Sequence, residues 1–563
     1  MSLEYCVQLL TNWEPDEEFV VDMEMKKAVH KLRMVTDEYD AIRFSSLGMD
    51  IFNETYERLR KGSESKYQFI MRAGTGMKPA LFNLCNTVWQ SEILPQSWEE
   101  STLVQLYKGS GPKNSLSNQR FIHLKDEFPK FFGNLVMTAA KETKSKFQIA
   151  TKPGHRAQEH LYVLKSVIAL YTKYDIAIIL STWDISKFFD KECLYDVMNE
   201  LFKNEICGKL YGLIYMMNKN TRIRVQTPVG LSEARNTGEG LGQGTVEGAI
   251  ASAVNLDNSV RDFFENSYSE VQYHGVKLGP LLFQDDVTRL ALDVESAQAG
   301  NDRMQNVAES KLLNFNLNKS CFMVFGSRRR KLDILHDLEL KPLQLNGQPM
   351  MHESVTKYLG DYLSDKGLSD SVDVTVDKRS GIVKKITYDI RNVVDDCRSQ
   401  VVGGLTAGLQ IWESVVIPML LNNSDTWQDI SSKILKKLEN LQLSFVRCLL
   451  GVGSGCQTPY LYSETGILLM ELRILQRKLM FLNHIYNLPE TSLAREILTV
   501  QSQLDLPGLE LECRESLRTF GLHDLSLFSK RQFKRLVKVK IRELNRFKII
   551  ELANSRNYKK ICK

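Results

Sequence analysis

The fold turns on the stretch Leu281-Leu282-Phe283-Gln284-Asp285-Asp286-Val287-Thr288-Arg289-Leu290-Ala291-Leu292. An apolar run enters, a glutamine and two adjacent carboxylates follow, and a mostly apolar run leaves. The pattern predicts two short strands joined by a tight turn, with Asp285 and Asp286 at its tip. Side chains alternate along a strand, so neighbouring aspartates on a turn can splay apart around one site. Two uncompensated carboxylates side by side repel each other, and a divalent cation between them removes that repulsion. A solvated Asp-Asp turn is the plainer alternative, and the rest of the chain decides between the two.

Upstream, Ile176-Ala177-Ile178-Ile179-Leu180 reads as a buried strand. It delivers Ser181-Thr182-Trp183-Asp184, and an aspartate at the end of a buried strand is where an α/β-type site keeps a metal ligand. Ile185 to Asp190 then leads into a helix beginning near Lys191, with Asp190 as its cap. Gly240-Leu241-Gly242-Gln243-Gly244-Thr245-Val246-Glu247-Gly248 is a Gly-rich loop ahead of a small-residue helix, Ala249 to Asn255. It is neither a Walker loop nor a dinucleotide fingerprint, and it lets a base pair or a phosphate come close to the backbone. Ser101 to Lys108 alternates like a strand and runs into the loop Gly109-Ser110-Gly111-Pro112; Asn118 to Ile122 follows as a second segment. Lys108 and Arg120 therefore lie where neighbouring strands can aim cations at one point.

Downstream of the Asp-Asp turn, Val294 to Phe315 reads as an amphipathic helix. Cys321 to Gly326 and Thr356 to Gly360 read as strands, and Ser327-Arg328-Arg329-Arg330-Lys331 as a basic cluster in a loop. From Val372 onward the pattern is largely helical, as are residues 1 to about 100, where Ala80 to Trp89 is the clearest helix. His155, Glu159 and His160 suggest a metal site at first glance. Their spacing is not that of a zinc motif, and no Cys or His partners accompany them.

The 563 residues suffice for several sub-domains around more than one core, and 43% hydrophobic with 25% charged residues is ordinary for a folded soluble protein. The longest apolar stretches are too short to span a bilayer, and the N-terminus lacks the basic flank and apolar run of a signal peptide. Ten cysteines without a CxxC pair indicate neither a disulfide framework nor a cysteine zinc site, which makes a reducing, intracellular compartment the default. The net charge of +5 is unevenly spread. The first forty residues are acid-rich, whereas Lys530 to Lys563 carries thirteen Lys or Arg against Glu543 and Glu551. A tail of that density suits a polyanionic partner, with a solvated helix face as the alternative.

Taken in order, these pieces resemble the reverse transcriptase region of non-LTR (LINE-like) retrotransposons, from about Glu99 to Gly360. Each motif is short; their order and spacing carry the resemblance. It implies an α+β right-hand polymerase: a helical N-terminal extension over 1–98, fingers over 99–175 and a palm over 176–362 built on an antiparallel sheet with packed helices. A helical thumb over 363–465, with helices around Trp412 to Trp427 and Leu435 to Gly451, and a basic helical region over 466–563 complete it. The resemblance implies an RNA-directed DNA polymerase in which Asp184, Asp285 and Asp286 bind two Mg²⁺ ions, Mn²⁺ being the other ion allowed. It places Phe189 as the aromatic gate against a ribose 2′-hydroxyl, and Gln243 and Gly244 in the loop against the template and nascent base pair. Lys108 and Arg120 fall on the cations that hold the incoming triphosphate, Lys319 on a lysine near the leaving pyrophosphate, and Tyr358-Leu359-Gly360 on the hairpin that grips the primer. The implied partners are an RNA template, a DNA or RNA primer and dNTPs, with no membrane, in a ribonucleoprotein of the nucleus or cytoplasm.

The chain departs from the family at Gln284, where a small or apolar residue is usual, and at Thr245 to Gly248, where Glu247 brings a carboxylate near the template groove. The finger motif keeps its arginine in Gln119-Arg120-Phe121-Ile122. Neither an upstream endonuclease domain nor a C-terminal Cys/His knuckle is present, so an endonuclease would come from a missing segment or another protein. Two alternatives stand beside the polymerase. One is an inactive RNA-binding remnant, against which all three aspartates speak; the other is a viral RNA-directed RNA polymerase, against which Phe189 and Gln284 speak.

Overall fold

The structure is a computed structural model, and it describes residues 46–62, 70, 76–109, 111–140, 144–219, 221–236, 240–264, 271–397 and 403–554. Most of the expected N-terminal extension and the last nine residues of the basic tail lie outside the described residues. The described chain mixes helix and sheet. In its first part come α1 (Met49–Gly62), α2 (Met77–Ser91), β1 (Glu100–Tyr107), β2 (Gln119–Leu124), α3 (Glu127–Ala140) and α4 (Ala157–Lys173). The middle holds β3 (Ile178–Asp184), α5 (Leu194–Lys203), α6 (Gly208–Lys219), β4 (Arg222–Thr227), α7 (Val246–Phe264), β5 (Leu281–Phe283), β6 (Asp286–Ala291) and α8 (Val294–Ser310). Then follow β7 (Cys321–Phe325), α9 (Arg328–Leu340), β8 (Val355–Tyr358), β9 (Asp361–Ser364), α10 (Leu368–Cys397) and α11 (Gly403–Ile411). The described chain ends in α12 (Ser432–Leu450), α13 (Thr458–Thr465), α14 (Met470–Tyr486), α15 (Leu493–Gln503), α16 (Leu509–Phe520) and α17 (Lys530–Asn554).

The central sheet runs in the order Met351–His352, β7, β3, β6, β5. β3 lies antiparallel to both β6 and β7, and only the two-residue edge strand is parallel to its neighbour. Ile178 to Ser181 and all of β7 are buried, as expected of strands covered on both faces. α8 covers β3 and β6, and α9 covers β7. The outer edge of β5 is capped by residues 147–149, with Leu282 donating to the Phe147 carbonyl and Ile149 donating to the Leu282 carbonyl. That pairing removes a free sheet edge. A second sheet joins β2, β1 and β4, with Leu106 opposite Arg120.

Among the described residues two large apolar cores form, beside a small cluster of Leu103, Ile223 and Val225. One surrounds the central sheet and runs on through the C-terminal helices to Ile541. The other gathers Phe52, Trp89, Phe131, Phe132, Met198, Tyr211 and Val254. α4 belongs to the first core and α5 and α6 to the second, so segments from both sides of residue 176 contribute to each. No helix among the described residues is long and apolar enough to cross a membrane.

Several local expectations need correction. The strand expected over 176–180 runs over 178–184, because its pairing with β6 and β7 extends to Asp184 while Ile176 is left exposed. Asp190 caps no helix; it lies within a single helical turn, Phe188–Lys191, and α5 begins after Cys193. α7 starts at Val246 and takes in the last residues of the expected Gly-rich loop. α8 stops at Ser310, after which Leu312 turns at φ 53° and Phe315 bridges to Ile185. The Arg328-to-Lys331 cluster is helical, because the Ser327 hydroxyl accepts from the Arg330 N–H and starts α9.

Candidate active site

The antiparallel register of β3 and β6 sets Asp184 directly opposite Asp286. Directly opposed residues share one face of the sheet, with Cβ atoms about 5 Å apart. Asp285 precedes Asp286 in the turn between β5 and β6, where Gln284 adopts φ 61°. The left-handed conformation is unfavourable for glutamine, and the surroundings hold it there. The Gln284 side-chain amide donates to the Ala249 carbonyl of α7 at 2.7 Å, and its backbone N–H donates to the Gln148 side chain at 3.2 Å. The departure at residue 284 is thus a hook that ties the Asp-Asp turn to the helix behind the Gly-rich loop.

The carboxylates interact. Asp285 is pushed above the ordinary carboxylate range by burial first and by Asp184 as well. Asp286 still touches solvent, but crowding by protein atoms, then Asp285 and Asp184, push it up to about 6. Arg120 and Lys319 act on both aspartates in the opposite direction. The ammonium of Lys319 lies 3.7 Å from Asp184 Oδ2, and the Asp184 N–H donates to the Ser320 hydroxyl at 3.0 Å. Lys108 is held below its usual value by partial burial, then by Lys319 and Arg120, while Asp184 pulls the other way. The three cations expected around a triphosphate therefore share one field with the three aspartates.

The Gly-rich loop packs between two parts of the chain. Leu241 N–H donates to the Phe189 carbonyl at 2.8 Å, and His123 N–H donates to the Gln243 carbonyl at 2.7 Å. A Cβ on Gly240 (φ 83°) would stand 2.9 Å from the Phe189 and Asp190 carbonyls; one on Gly244 (φ 104°) would stand 2.9 Å from Ile122 Cγ2. The close approach these two glycines permit is by protein segments, Phe189-Asp190 on one side and β2 on the other. Phe189 itself packs edge-on against Phe188. Glu247, read as a carboxylate near the template groove, is buried and accepts from Lys125 Nζ at 2.6 Å. The pair fastens α7 to the segment that follows β2.

Tyr358 is buried, and its hydroxyl accepts from Thr288 of β6 at 3.3 Å. Leu359 and Gly360, at φ 45° and 87°, form the turn into β9. Between this hairpin and the aspartates lies a cleft of about 360 Å³, lined by Asp184, Asp286, Lys319, Cys321, Thr356 and Tyr358 among others. Of the twelve residues singled out in the sequence, Phe189 lies on the single helical turn Phe188–Lys191 and Lys319 on the loop between α8 and β7; the others fall on or beside the two sheets, on the Gly-rich loop and on one hairpin.

Glu192 escaped the sequence reading. It is fully buried, accepts from Asn255 Nδ2 at 3.0 Å and from the Ser252 hydroxyl, and is pushed up to about 7 by burial and, in part, by nearby Asp285. The only sequence signal was its place eight residues beyond Asp184 and three beyond the expected gate, Phe189.

Hard oxygen donors of this charge suit Mg²⁺. Among the described residues no three His, Cys, Asp or Glu side chains are drawn together as a closed ligand set. The aspartates face one another across the strands without closing, and Lys319 offsets part of their charge.

No family profile matches the chain, and no curated protein matches it. Among solved structures it is similar to apo telomerase from Candida tropicalis truncated from its C-terminal domain, with a TM-score of 0.32 and 10% identity over 51% of this chain. The chain spans 58% of that structure's length. It is also similar to Candida albicans telomerase in complex with a fragment of telomeric RNA, with a TM-score of 0.30, 11% identity and coverage of 75% of this chain and 69% of that one. For Candida tropicalis telomerase in the corresponding complex the values are 0.33, 10%, 76% and 70%. Overlap at this level is coarse and assigns no activity.

Proposed function

We propose that the chain is an RNA-directed DNA polymerase that adds dNTPs to a primer 3′-hydroxyl, of the kind found in non-LTR retrotransposons. The observation that supports it most is the register that opposes Asp184 and Asp286 beside Asp285, within the field of Lys108, Arg120 and Lys319. In this reading the central sheet is a palm, β1 and β2 belong to fingers, α10 to α13 supply a thumb, and α14 to α17 form the basic helical region that follows it.

Asp184, Asp285 and Asp286 would hold the divalent ions, two by the family resemblance, and bound Mg²⁺ supplies charge stabilisation for the attacking and leaving oxygens. Lys108 and Arg120 bind the triphosphate by charge-assisted hydrogen bonds. Lys319 neutralises charge at the pyrophosphate side. Phe189 occupies the space a 2′-hydroxyl would need. The β8–β9 hairpin bounds the cleft on the side where a primer end would lie, and RNA is the template.

Primer extension on an RNA template with Mg²⁺, dNTPs and rNTPs being offered separately, tests the proposal. Extension by dNTPs, reduced more than about 100-fold by Asp285→Asn, is the expected result. Equal extension by the variant sinks the assignment. Salt-sensitive RNA binding without any extension moves the reading to a non-catalytic RNA-binding remnant.

A further inference from the structure

α17 presents two different sides. Phe533, Val537 and Ile541 are buried, and the helix packs on α13 and α14. Away from that contact, Arg531, Arg535, Lys538, Arg542 and Arg546 recur at i, i+4, i+7, i+11 and i+15, and all five are exposed. At 1.5 Å per residue they form a row roughly 22 Å long. Exposed Lys530 and Lys534 flank its start. None of the five pairs with a described acidic residue, whereas the neighbouring cations are engaged: Lys540 holds Glu543 at 2.9 Å, and Lys548 holds Glu471 at 2.7 Å.

A row of like charges at i,i+4 spacing opposes its own helix. Such a row is relieved when a polyanion lies along it, and regularly spaced phosphates do this with release of counterions. Beside the cations runs a second exposed row, Leu536, Val539, Phe547 and Ile550. A strand whose phosphates lie on the arginines can lay a base on Phe547. A membrane surface fits less well, because the main apolar face of the helix is already buried in the protein.

We infer that this outer face of α17 is an RNA-backbone docking surface, built on the C-terminal helices and separate from the aspartate site. The choice of RNA rests on the function proposed above; the phosphate chemistry does not.

The test compares full-length wild type with Arg535→Gln/Lys538→Gln/Arg542→Gln/Arg546→Gln, using a structured RNA of about 30 nucleotides in fluorescence anisotropy over a salt series. The expected result is at least a tenfold loss of affinity and a log K against log[salt] slope shallower by about 3. A Lys-for-Arg variant at 535, 542 and 546 should keep the wild-type slope, which separates charge from loss of fold. Single-nucleotide addition at saturating template–primer should stay unchanged in both. Unchanged affinity and slope in the glutamine variant overturn the inference. So does loss of binding to phosphatidylserine-containing vesicles with RNA binding retained. Because binding is read without catalysis, a chain that binds RNA through this row but never extends a primer sinks the polymerase and leaves the surface standing.

Discussion

Gln284 illustrates how a single residue is misjudged when only its neighbours in sequence are visible. Beside two catalytic candidates it reads as an irregularity. In the fold its amide reaches Ala249, and its backbone sits at a left-handed φ that few side chains adopt without support. Glu192 is the converse case: nothing around it in sequence marks a glutamate that ends fully buried, bound to Ser252 and Asn255. Phe189 is legible in both. It stands five residues beyond Asp184, its carbonyl anchors the Gly-rich loop, and its ring stays only partly buried. If the ring excludes a 2′-hydroxyl by bulk, Phe189→Val admits rNTPs, and their incorporation relative to dNTPs rises roughly 10- to 100-fold. Competition between the two nucleotide types in primer extension measures that ratio; an unchanged ratio removes the gate from Phe189.

At the scale of elements, the β8–β9 hairpin is positioned from outside itself. Asp361, which opens β9, is buried and accepts from Lys165 of α4 at 2.7 Å and from Arg379 of α10 at 3.2 Å. Arg379 also donates to the Gly360 carbonyl at 2.7 Å, and Asn423 donates to the Leu359 carbonyl at 3.0 Å. Three separate segments thus hold one two-residue turn. Removing one partner of a buried pair leaves an uncompensated charge, so Lys165→Met and Asp361→Asn should each cost about 3–5 kcal/mol in urea unfolding. The double variant should cost less than the sum by about 1–3 kcal/mol, and strict additivity would show that the two groups are not coupled. The sequence showed β8 and its Tyr358-Leu359-Gly360 end; it did not show β9, whose short Asp361-Tyr362-Leu363-Ser364 has no strong alternation. Nor did it show that the arginine cluster at 328–330 is helical, since that depends on one serine hydroxyl capping one N–H.

Across the whole molecule, α4 is joined to α14 among the C-terminal helices through Glu159. Its carboxylate accepts from His155 at 2.7 Å and from His484 at 2.8 Å, the latter 325 residues away. The histidines and glutamate of that stretch therefore serve a tertiary contact, while neighbouring His160 is buried with neither ring nitrogen bonded. Burial by itself pushes the Glu159 carboxyl up, but the two histidine hydrogen bonds outweigh it and hold the group down at about 2, against an ordinary 4.5. A depressed carboxylate stabilises the fold above its unfolded value and loses that contribution as pH falls through the folded one. Glu159→Gln should accordingly cost up to about 3 kcal/mol at pH 6, and the difference from wild type should shrink between pH 4.5 and 2. Urea midpoints across that range measure it; a difference that does not change with pH would mean the ionised carboxylate is not what joins the two parts.

What the sequence determined by itself is what depends on near neighbours. A turn with adjacent aspartates between apolar runs, a buried strand leading to Asp184, a Gly-rich loop before a small-residue helix and a cation-dense C-terminal helix all follow from local pattern, because turns, strand periodicity and helix periodicity are set over a few residues. Tertiary structure alone decided which of these meet. The opposition of Asp184 and Asp286 is a register between distant strands, and register follows from which faces are buried once the sheet has assembled. The partners of Lys125, Lys165 and Glu192 lie far along the chain, as does His484, one of the two partners of Glu159. In sequence Lys125, Lys165 and Glu192 look like ordinary solvated charges, and only burial, which makes an unpaired charge costly, reveals that each must have a partner.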